Sequence, residues 1–210
     1  FLGLIMRDIG FDLIEESFKG SDLSIMSNHL FTGYTISEMA YQQNPDRLVW
    51  CLRSDGKLLA MTYMREQEII AWTWHETDGT VESICTIPAS GYNELWLAVN
   101  RDGTRFIERM VQRMASEEPE DQFFVDCGGT YDDVAASTIT GVTWLAGKTV
   151  AVLADGNVLA QKVVSGAGVI TLGGSYSVVQ YGLPYTADLE TLNVEIGLPN
   201  GTLQGRKVKI

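Results

Sequence analysis

Two segments of this chain share one pattern and lie 47 residues apart, and this repeat limits the possible folds more than any other feature of the sequence. The segments are residues 47–61 and 94–108, in which two apolar runs flank Asp55-Gly56 and Asp102-Gly103. Asp-Gly favours a tight β-hairpin because both central residues of the two-residue turn need a positive φ, which Gly adopts freely and Asp tolerates. A period of about 40–50 residues with four short strands is typical of β-propeller blades. Two hairpins of an ordinary antiparallel meander are the alternative.

The residues around this repeat predict an antiparallel β region. Short apolar and β-branched runs end at turn residues such as Asp78-Gly79, which is the pattern of half-buried strands. The predicted strands are 36–42, 48–53, 57–64, 69–75, 81–87, 94–100 and 104–110. They suffice for about two blades, and because two blades cannot close a ring, we expect the chain to be a fragment of a longer protein.

Residues 21–31, which precede these strands, predict a short helix. Ser21 is its expected N-cap, and Leu23, Met26 and Leu30 fall on one helical face. We expect this helix to pack on the sheet as an insertion. Residues 1–126 are therefore predicted to form a partial β-propeller with a short inserted helix.

A second module is predicted after an acidic segment that Pro119 interrupts. The chain then becomes rich in Gly, Val, Thr and Ala, with strand candidates at 137–140, 149–154, 158–164, 169–172 and 177–182. This spacing predicts a small, five- or six-stranded β-barrel at residues 127–185. Its expected core consists of Val150, Val152, Leu159, Val163, Ile170 and Val179. Residues 186–210 are expected to supply strands that return to a larger sheet, so the predicted fold class is all-β.

The charge of the chain argues against general nucleic-acid binding. Lys and Arg total 15 against 27 Asp and Glu, and residues 1–126 alone hold 21 acids and 10 bases. Such a surface repels phosphates. No apolar run approaches the roughly 18 residues that a membrane helix needs, so neither a membrane span nor a signal peptide is predicted.

No set of residues predicts a catalytic, cofactor or metal site. Cys51, His75 and Cys85 are the strongest metal candidates, but they lack the close, regular spacing of zinc ligands. The three cysteines, the third being Cys127, are an odd number and fit a reducing compartment. His29 and His75 are the only two histidines, so few side chains could act as the general base that activates a nucleophile. We expect no enzyme activity and no cofactor.

Two groups of carboxylates are further candidates for a catalytic or metal site. Glu117, Glu118, Glu120 and Asp121 lie on the acidic segment, where solvation favours ordinary acids, and a glycosidase pair would require a cleft. Asp126, Asp132 and Asp133 lack the loop spacing of an EF-hand calcium site. Both groups are therefore interpreted as solvated surface residues.

Aromatic and glycine-rich segments offer two further candidate sites. Four tryptophans could stack sugars or bases, but alternation puts two of them on one face of one strand, which favours sheet packing; they are Trp50, Trp72, Trp74 and Trp96. Gly147-Lys148-Thr149 resembles part of a phosphate-binding loop, but it lacks the preceding glycine and the following helix.

Specific phrases of the sequence resemble a family of bacteriophage tail proteins. In the first part these phrases are residues 40–50, 55–63, 65–67, 71–72, 81–83, 93–97 and 105–109. In the second part they are 140–141, 145–156, 182–185, 189–191 and 204–207. The chain resembles the C-terminal portion of the tail nozzle, or tail tubular protein B, family of short-tailed phages. The module at 127–185 is also similar in shape to the FCCH domain of ubiquitin-activating enzymes, without implying ubiquitin chemistry.

The resemblance implies a structural virion protein that is assembled in the bacterial cytoplasm. It implies a homo-oligomeric ring, contacts with other tail or adaptor proteins, and a conduit through which DNA passes without specific binding. It carries no catalytic residues. A carbohydrate- or receptor-binding propeller is the alternative function. We expect acids to outnumber bases on any channel surface, and a face lined by Arg101, Arg105, Arg109 and Arg113 would contradict this.

Overall fold

The structure is a computed structural model that describes residues 5–112 and 117–188. Within these residues every sheet is antiparallel, and the regular helical segments are short 3-10 turns. The strands are β1 Gly10–Asp12, β2 Ser17–Lys19, β3 Ile36–Gln42, β4 Leu48–Arg53, β5 Leu58–Met64, β6 Ile69–His75, β7 Thr80–Pro88, β8 Asn93–Arg101, β9 Thr104–Met110, β10 Asp126–Ile139, β11 Thr149–Ala154, β12 Asn157–Val163 and β13 Ile170–Leu183. The prediction of an all-β chain is confirmed.

Two meandering sheets make up most of the first part. The first sheet has the order β3-β4-β5-β6 and the second has the order β7-β8-β9. All seven predicted strands are present, and their ends agree with the prediction to within one residue. The two hairpins of the repeat, β4–β5 and β8–β9, therefore occupy corresponding positions in successive sheets.

The hairpins differ in length, and this difference changes how the repeat must be aligned. Asp102 and Gly103 both have positive φ, 50° and 87°, and they form the predicted two-residue turn. At the first hairpin only Gly56 has positive φ, 80°, and Arg53 N donates to Lys57 O at 2.9 Å, so the loop has three residues. The prediction that both residues of the first Asp-Gly pair adopt positive φ is wrong.

The first hairpin loop is one residue longer than the second. Because side chains alternate between the two faces of a strand, an overlay at a constant offset of 47 matches side chains that lie on opposite faces of their sheets. The 47-residue overlay matches Trp50 with Leu97, yet these residues face each other across the same core. Aligning the strand ends that close the hairpins, Arg53 and Arg101, gives an offset of 48 before the turn. Equivalent residues then point in the same direction along the stack of sheets.

The two sheets pack face to face around one apolar core. Trp50, Leu52 and Leu58 from the first sheet meet Leu95, Leu97 and Val99 from the second. The sheets approach most closely along their first strands, β3 and β7. At this edge the Glu38 carboxylate accepts hydrogen bonds from Ser83 Oγ at 2.9 Å and Ile84 N at 2.8 Å. Polar anchors thus fix the register between the sheets at one edge.

The N-terminal segment covers the other face of the first sheet. Phe31 packs on Cys51 and Leu59, and β1 and β2 form a separate hairpin. Here the predicted helix is wrong in detail: residues Ile25–Leu30 form 3-10 turns with a kink at Ser27, and the N-cap residue is Ser24, not Ser21. Met26, expected on the packed face, is 89% exposed.

Asp22 forms a side-chain turn just before the 3-10 segment. The Asp22 carboxylate accepts hydrogen bonds from Ser24 N at 2.8 Å and Ser24 Oγ at 2.7 Å. Leu23 is also tied to the neighbouring segment, since its N donates to Met6 O at 2.8 Å.

Asp8 anchors the N-terminal segment to the first sheet, and this predicts a pH dependence. Its carboxylate accepts from Ser21 N at 2.7 Å, Tyr63 OH at 2.7 Å and Ser21 Oγ at 2.8 Å, which lowers the pKa of Asp8 from 3.8 to about 2. A lowered folded-state pKa stabilises the fold above pH 3.8, and the contribution is lost as the pH falls through about 2.

We expect Asp8→Asn to lower the free energy of unfolding by about 1–2 kcal/mol at neutral pH, because charged hydrogen bonds are lost. The difference from the native chain should shrink as the pH falls through the interval between the two pKa values. Urea titrations at a series of pH values measure this. A difference that does not change with pH would show that the carboxylate charge is not the cause.

The second part forms a four-stranded sheet in the order β10-β13-β11-β12. The predicted strands 137–140, 169–172 and 177–182 are parts of the long strands β10 and β13, which have register shifts along their pairing. The strand number is four rather than five or six. Among the described strands, no hydrogen-bonded pairing joins β12 to β10, so the sheet is not closed into a barrel.

This sheet folds around its own core. Val150, Val152, Ile170 and Val179 are buried as predicted, and Leu159 packs partly against them. Val163 is instead exposed, and its neighbour Val164 is buried. Val164 lies just past the end of β12, where its N donates to Lys148 O at 3.0 Å, and the chain turns inward. The predicted strands beyond residue 188 lie outside the described residues.

Candidate functional site

The structure separates the residues considered as metal ligands. Cys51 lies beneath the N-terminal segment, His75 packs on the Trp50 ring at a centroid distance of 5.3 Å, and Cys85 is exposed on the second sheet. Burial raises the pKa of the Cys51 thiol to about 12 and lowers the pKa of His75. Within residues 5–112 and 117–188, no three His, Cys, Asp or Glu side chains form a group able to hold a metal ion.

The different environments of the three cysteines predict that their thiols react at different rates. Cys85 should react with a thiol reagent in the native chain, whereas Cys51 should react only after unfolding, because it is buried and its thiolate is disfavoured. Cys127, half-buried with a pKa raised to about 11 by burial, should react slowly. Mass spectrometry of peptides after timed labelling measures the order. Rapid native labelling of Cys51 would contradict the packing of the first sheet.

The Asp126 carboxylate has hydrogen-bond partners that the sequence did not predict. Its carboxylate accepts from Thr77 Oγ1 at 2.8 Å and from Asp78 N at 2.9 Å. Lys148 of the second module forms an ion pair with Asp78 at 3.0 Å. Asp133 bonds locally to Val134 N, so the calcium candidates do not converge on one point. Asp126 instead joins the second module to the loop before β7.

Arg101 completes this junction. Its guanidinium donates to the two Glu108 oxygens at 2.8 and 2.7 Å and to Thr77 Oγ1 at 2.8 Å. It also contacts Asp78 O. Arg101 therefore has protein partners for four of its five guanidinium N–H groups, and it holds the Thr77–Asp78 loop to which Asp126 binds.

The arginines that could have formed a cationic face are divided between two sides of the second sheet. Arg105 and Arg109 share one side, since they pair across strands with Asn100 and Trp96, whereas Arg101 points to the other side. Arg105 pairs with Glu82 at 2.6 Å, and Arg109 pairs with Glu94 at 2.5 Å. Arg113 lies outside the described residues. The described arginines do not form the single cationic face that would contradict the DNA expectation.

An aromatic cleft of about 510 Å³ lies between the N-terminal 3-10 turns and the first sheet. Trp72 and Trp74 are on one face of β6, as predicted, opposite Met61 and Leu59 of β5. Trp72 serves packing: its Nε1 donates to Leu23 O at 2.8 Å, and its ring meets Phe31 edge to face.

Trp74 differs because it is 52% exposed in the cleft. The Lys57 ammonium lies 4.4 Å from the Trp74 ring centroid, and Arg53 lies 4.0 Å above Tyr34. Arg53 is neutralised by Asp55 at 2.7 Å. The cleft can therefore offer an aromatic face to a sugar ring or another flat ligand, but its cations already have partners.

The sequence did not reveal the side chains that join sheets and modules. Glu38 lies within the predicted strand 36–42 and was not a candidate site residue, and Asp126 was interpreted as a solvated acid. No sequence signal distinguishes these two carboxylates from the many that are solvated.

No protein-family model and no curated protein matches this chain. Among the described residues, no helix has both the length and the apolar character to cross a bilayer.

Proposed function

We propose that this chain belongs to a structural component of a bacteriophage tail, a ring-forming nozzle or tube subunit of the virion through which DNA passes. The proposal starts from the resemblance of several sequence phrases to the tail nozzle family. It includes a β-propeller architecture for the first part and contacts with other tail or adaptor proteins in the assembled particle.

The stacking of the two sheets supports the propeller architecture within this proposal. They pack face to face, are closest along their first strands, and present equivalent residues in one direction once the hairpin lengths are matched. Neighbouring propeller blades are related in this way. A two-fold sandwich would instead place equivalent residues face to face.

The charge distribution supports a conduit that does not grip DNA. Of the exposed arginines on the second sheet, Arg105 and Arg109 are paired with glutamates, and the chain has a net charge of -12. We expect no measurable affinity for duplex DNA at physiological salt, because few counterions would be released from phosphates. A mobility-shift titration measures this, and tight, salt-sensitive binding would contradict it.

The exposed Trp74 ring favours a second candidate function, carbohydrate or receptor binding in the aromatic cleft. A glycan-binding screen of the native chain and of Trp74→Ala separates the two functions. Binding that is lost in Trp74→Ala would support the second function, and no binding by either chain would favour the structural role. Trp72→Ala is unsuitable for this test because Trp72 also packs the N-terminal segment.

A further inference from the structure

Strand β6 is a free edge of the first sheet. Its seven residues, Ile69–His75, pair with β5 without a register shift, and β3, at the opposite edge of the sheet, is the strand nearest the second sheet. Among the described residues, the backbone of β6 forms no hydrogen bond with a segment other than β5. Backbone N–H and C=O groups of alternate residues therefore point away from the sheet along this strand.

The side chains of β6 do not protect this edge. Proteins commonly guard an edge strand with a charged residue, a proline or a β-bulge. The segment Ile69–His75 contains no Asp, Glu, Lys, Arg or Pro, and Ile69 and Ile70 are exposed. Every other edge strand among the described residues holds at least one charged residue: Asp12 in β1, Lys19 in β2, Glu38 in β3, Glu82 in β7, Arg105 in β9, Asp132 in β10 and Lys162 in β12. Strand β6 is therefore the edge best suited to accept a further strand.

Acidic residues flank β6 at both ends. Glu66 and Glu68 are exposed just before the strand, and Glu76 is exposed just after it. Arg65 and Lys57 offset part of this charge, Lys57 through its contact with Glu76. If two copies of β6 paired antiparallel about the middle of the strand, Glu68 of each copy would lie opposite Glu76 of the other, and like charges in such positions destabilise a strand pair. The flanks thus disfavour a second copy and favour a strand with basic ends.

The aromatic cleft adjoins the same edge. Trp72, Thr73 and Trp74 of β6 line it. A strand added beside β6 has alternate side chains on each face of the sheet, so the residue opposite Trp74 has its side chain at the cleft. An aromatic side chain suits this position, because the Trp74 ring is exposed and the cations of the cleft already have carboxylate partners.

We propose that β6 binds an extended peptide segment of a partner protein by strand addition. Backbone hydrogen bonds to the outward groups of Ile69–His75 supply affinity, and side-chain contacts at the cleft and at the acidic flanks supply specificity. The recognised segment has an apolar centre with an aromatic residue, and Lys or Arg at each end. The inference goes beyond the proposed function, because it requires neither a ring nor DNA.

Three synthetic peptides probe this edge. The first is Lys-Lys-Val-Thr-Phe-Thr-Val-Lys-Lys. In the second, Glu replaces every Lys, and in the third, Pro replaces every Val and Thr, which removes backbone donors from both edges of the peptide. Fluorescence anisotropy of each labelled peptide, titrated with the whole chain, measures its affinity. Amide hydrogen exchange of the chain, with and without peptide, locates the binding site.

We expect the Lys-flanked peptide to bind the native chain and to increase the protection of amides within residues 69–75. The other two peptides should bind at least about tenfold more weakly. No binding by the Lys-flanked peptide, equal binding by the Pro-substituted peptide, or protection confined to other residues would overturn the inference. Protection of residues 69–75 that rises with chain concentration alone would identify a second copy as the occupant, and would overturn it as well.

Substitutions in the chain test the edge and its flanks separately. Thr73→Lys places a charge on the exposed edge and should weaken binding about tenfold, whereas Thr104→Lys, the same change on β9, should leave binding unchanged. Ala71→Lys replaces Thr73→Lys if circular dichroism shows that the latter does not fold. Glu66→Lys with Glu68→Lys should reverse the preference, so that the Glu-flanked peptide binds more tightly than the Lys-flanked one. Native affinity in the folded edge variant, or an unchanged preference in the folded flank variant, would contradict strand addition at β6.

Discussion

Val164→Asp should unfold the second module, whereas the same substitution one residue earlier, Val163→Asp, should be tolerated. Val164 is 1% exposed within the core that also contains Leu145 and Val150, whereas Val163 is exposed at the end of β12. A buried carboxylate without a partner costs several kcal/mol, and we expect a loss above about 4 kcal/mol for Val164→Asp. For Val163→Asp we expect a change within about 0.5 kcal/mol.

Chemical denaturation followed by far-ultraviolet circular dichroism measures both values. Trp144 also reports on the module, since its Nε1 donates to Cys127 O at 3.0 Å near the junction. Equal effects of the two substitutions would contradict the direction that the chain takes after β12. A larger loss of stability for Val163→Asp than for Val164→Asp would indicate that Val163 lies in the core, as the sequence alternation predicts.

Trp50→Ala should have the second largest effect. The Trp50 ring is 3% exposed between the two sheets, and its Nε1 donates to Gln42 Oε1 at 2.8 Å, while Gln42 Nε2 donates to Asn93 O at 2.7 Å. Removing the ring leaves a cavity and a buried amide that has lost one partner. We expect a loss of about 3–5 kcal/mol in the free energy of unfolding.

Trp74→Ala is the matched control, since it removes the same side chain from the exposed aromatic cleft. The Lys57 contact is worth about 0.5–1 kcal/mol at an exposed site, so the loss should stay near that value. Urea titration of both variants gives the comparison. A loss for Trp50→Ala as small as that for Trp74→Ala would show that the two sheets do not share a core.

The meander was predictable because local signals agree there. Apolar alternation, Asp-Gly turns and strand lengths all indicate the same seven strands, including Ile36–Gln42 and Ile69–His75 to the residue. The structural predictions failed where a single residue determines the local conformation. The three-residue loop ending at Gly56 reversed the faces of the repeat, and the kink at Ser27 divides the predicted helix into 3-10 turns.

The second module was less predictable because its long strands are irregular. Register shifts in the β10–β13 pairing interrupt the alternation, so β13 was predicted as two short strands and only the last residues of β10 were predicted as a strand. The candidate site was also predictable only in part. The shared face of Trp72 and Trp74 follows from alternation, but the exposure of Trp74 depends on where the N-terminal turns end, which is a long-range contact. The junction at Asp126 is likewise long-range.

Electron microscopy of the full protein that contains this chain tests the central claim most directly. The measurement is the class averages of the purified protein, alone and mixed with neighbouring tail components. The account predicts rings with cyclic symmetry and a central opening that admits duplex DNA. Particles that remain single copies at every concentration, with and without those components, would contradict the proposed role as a ring-forming tail subunit.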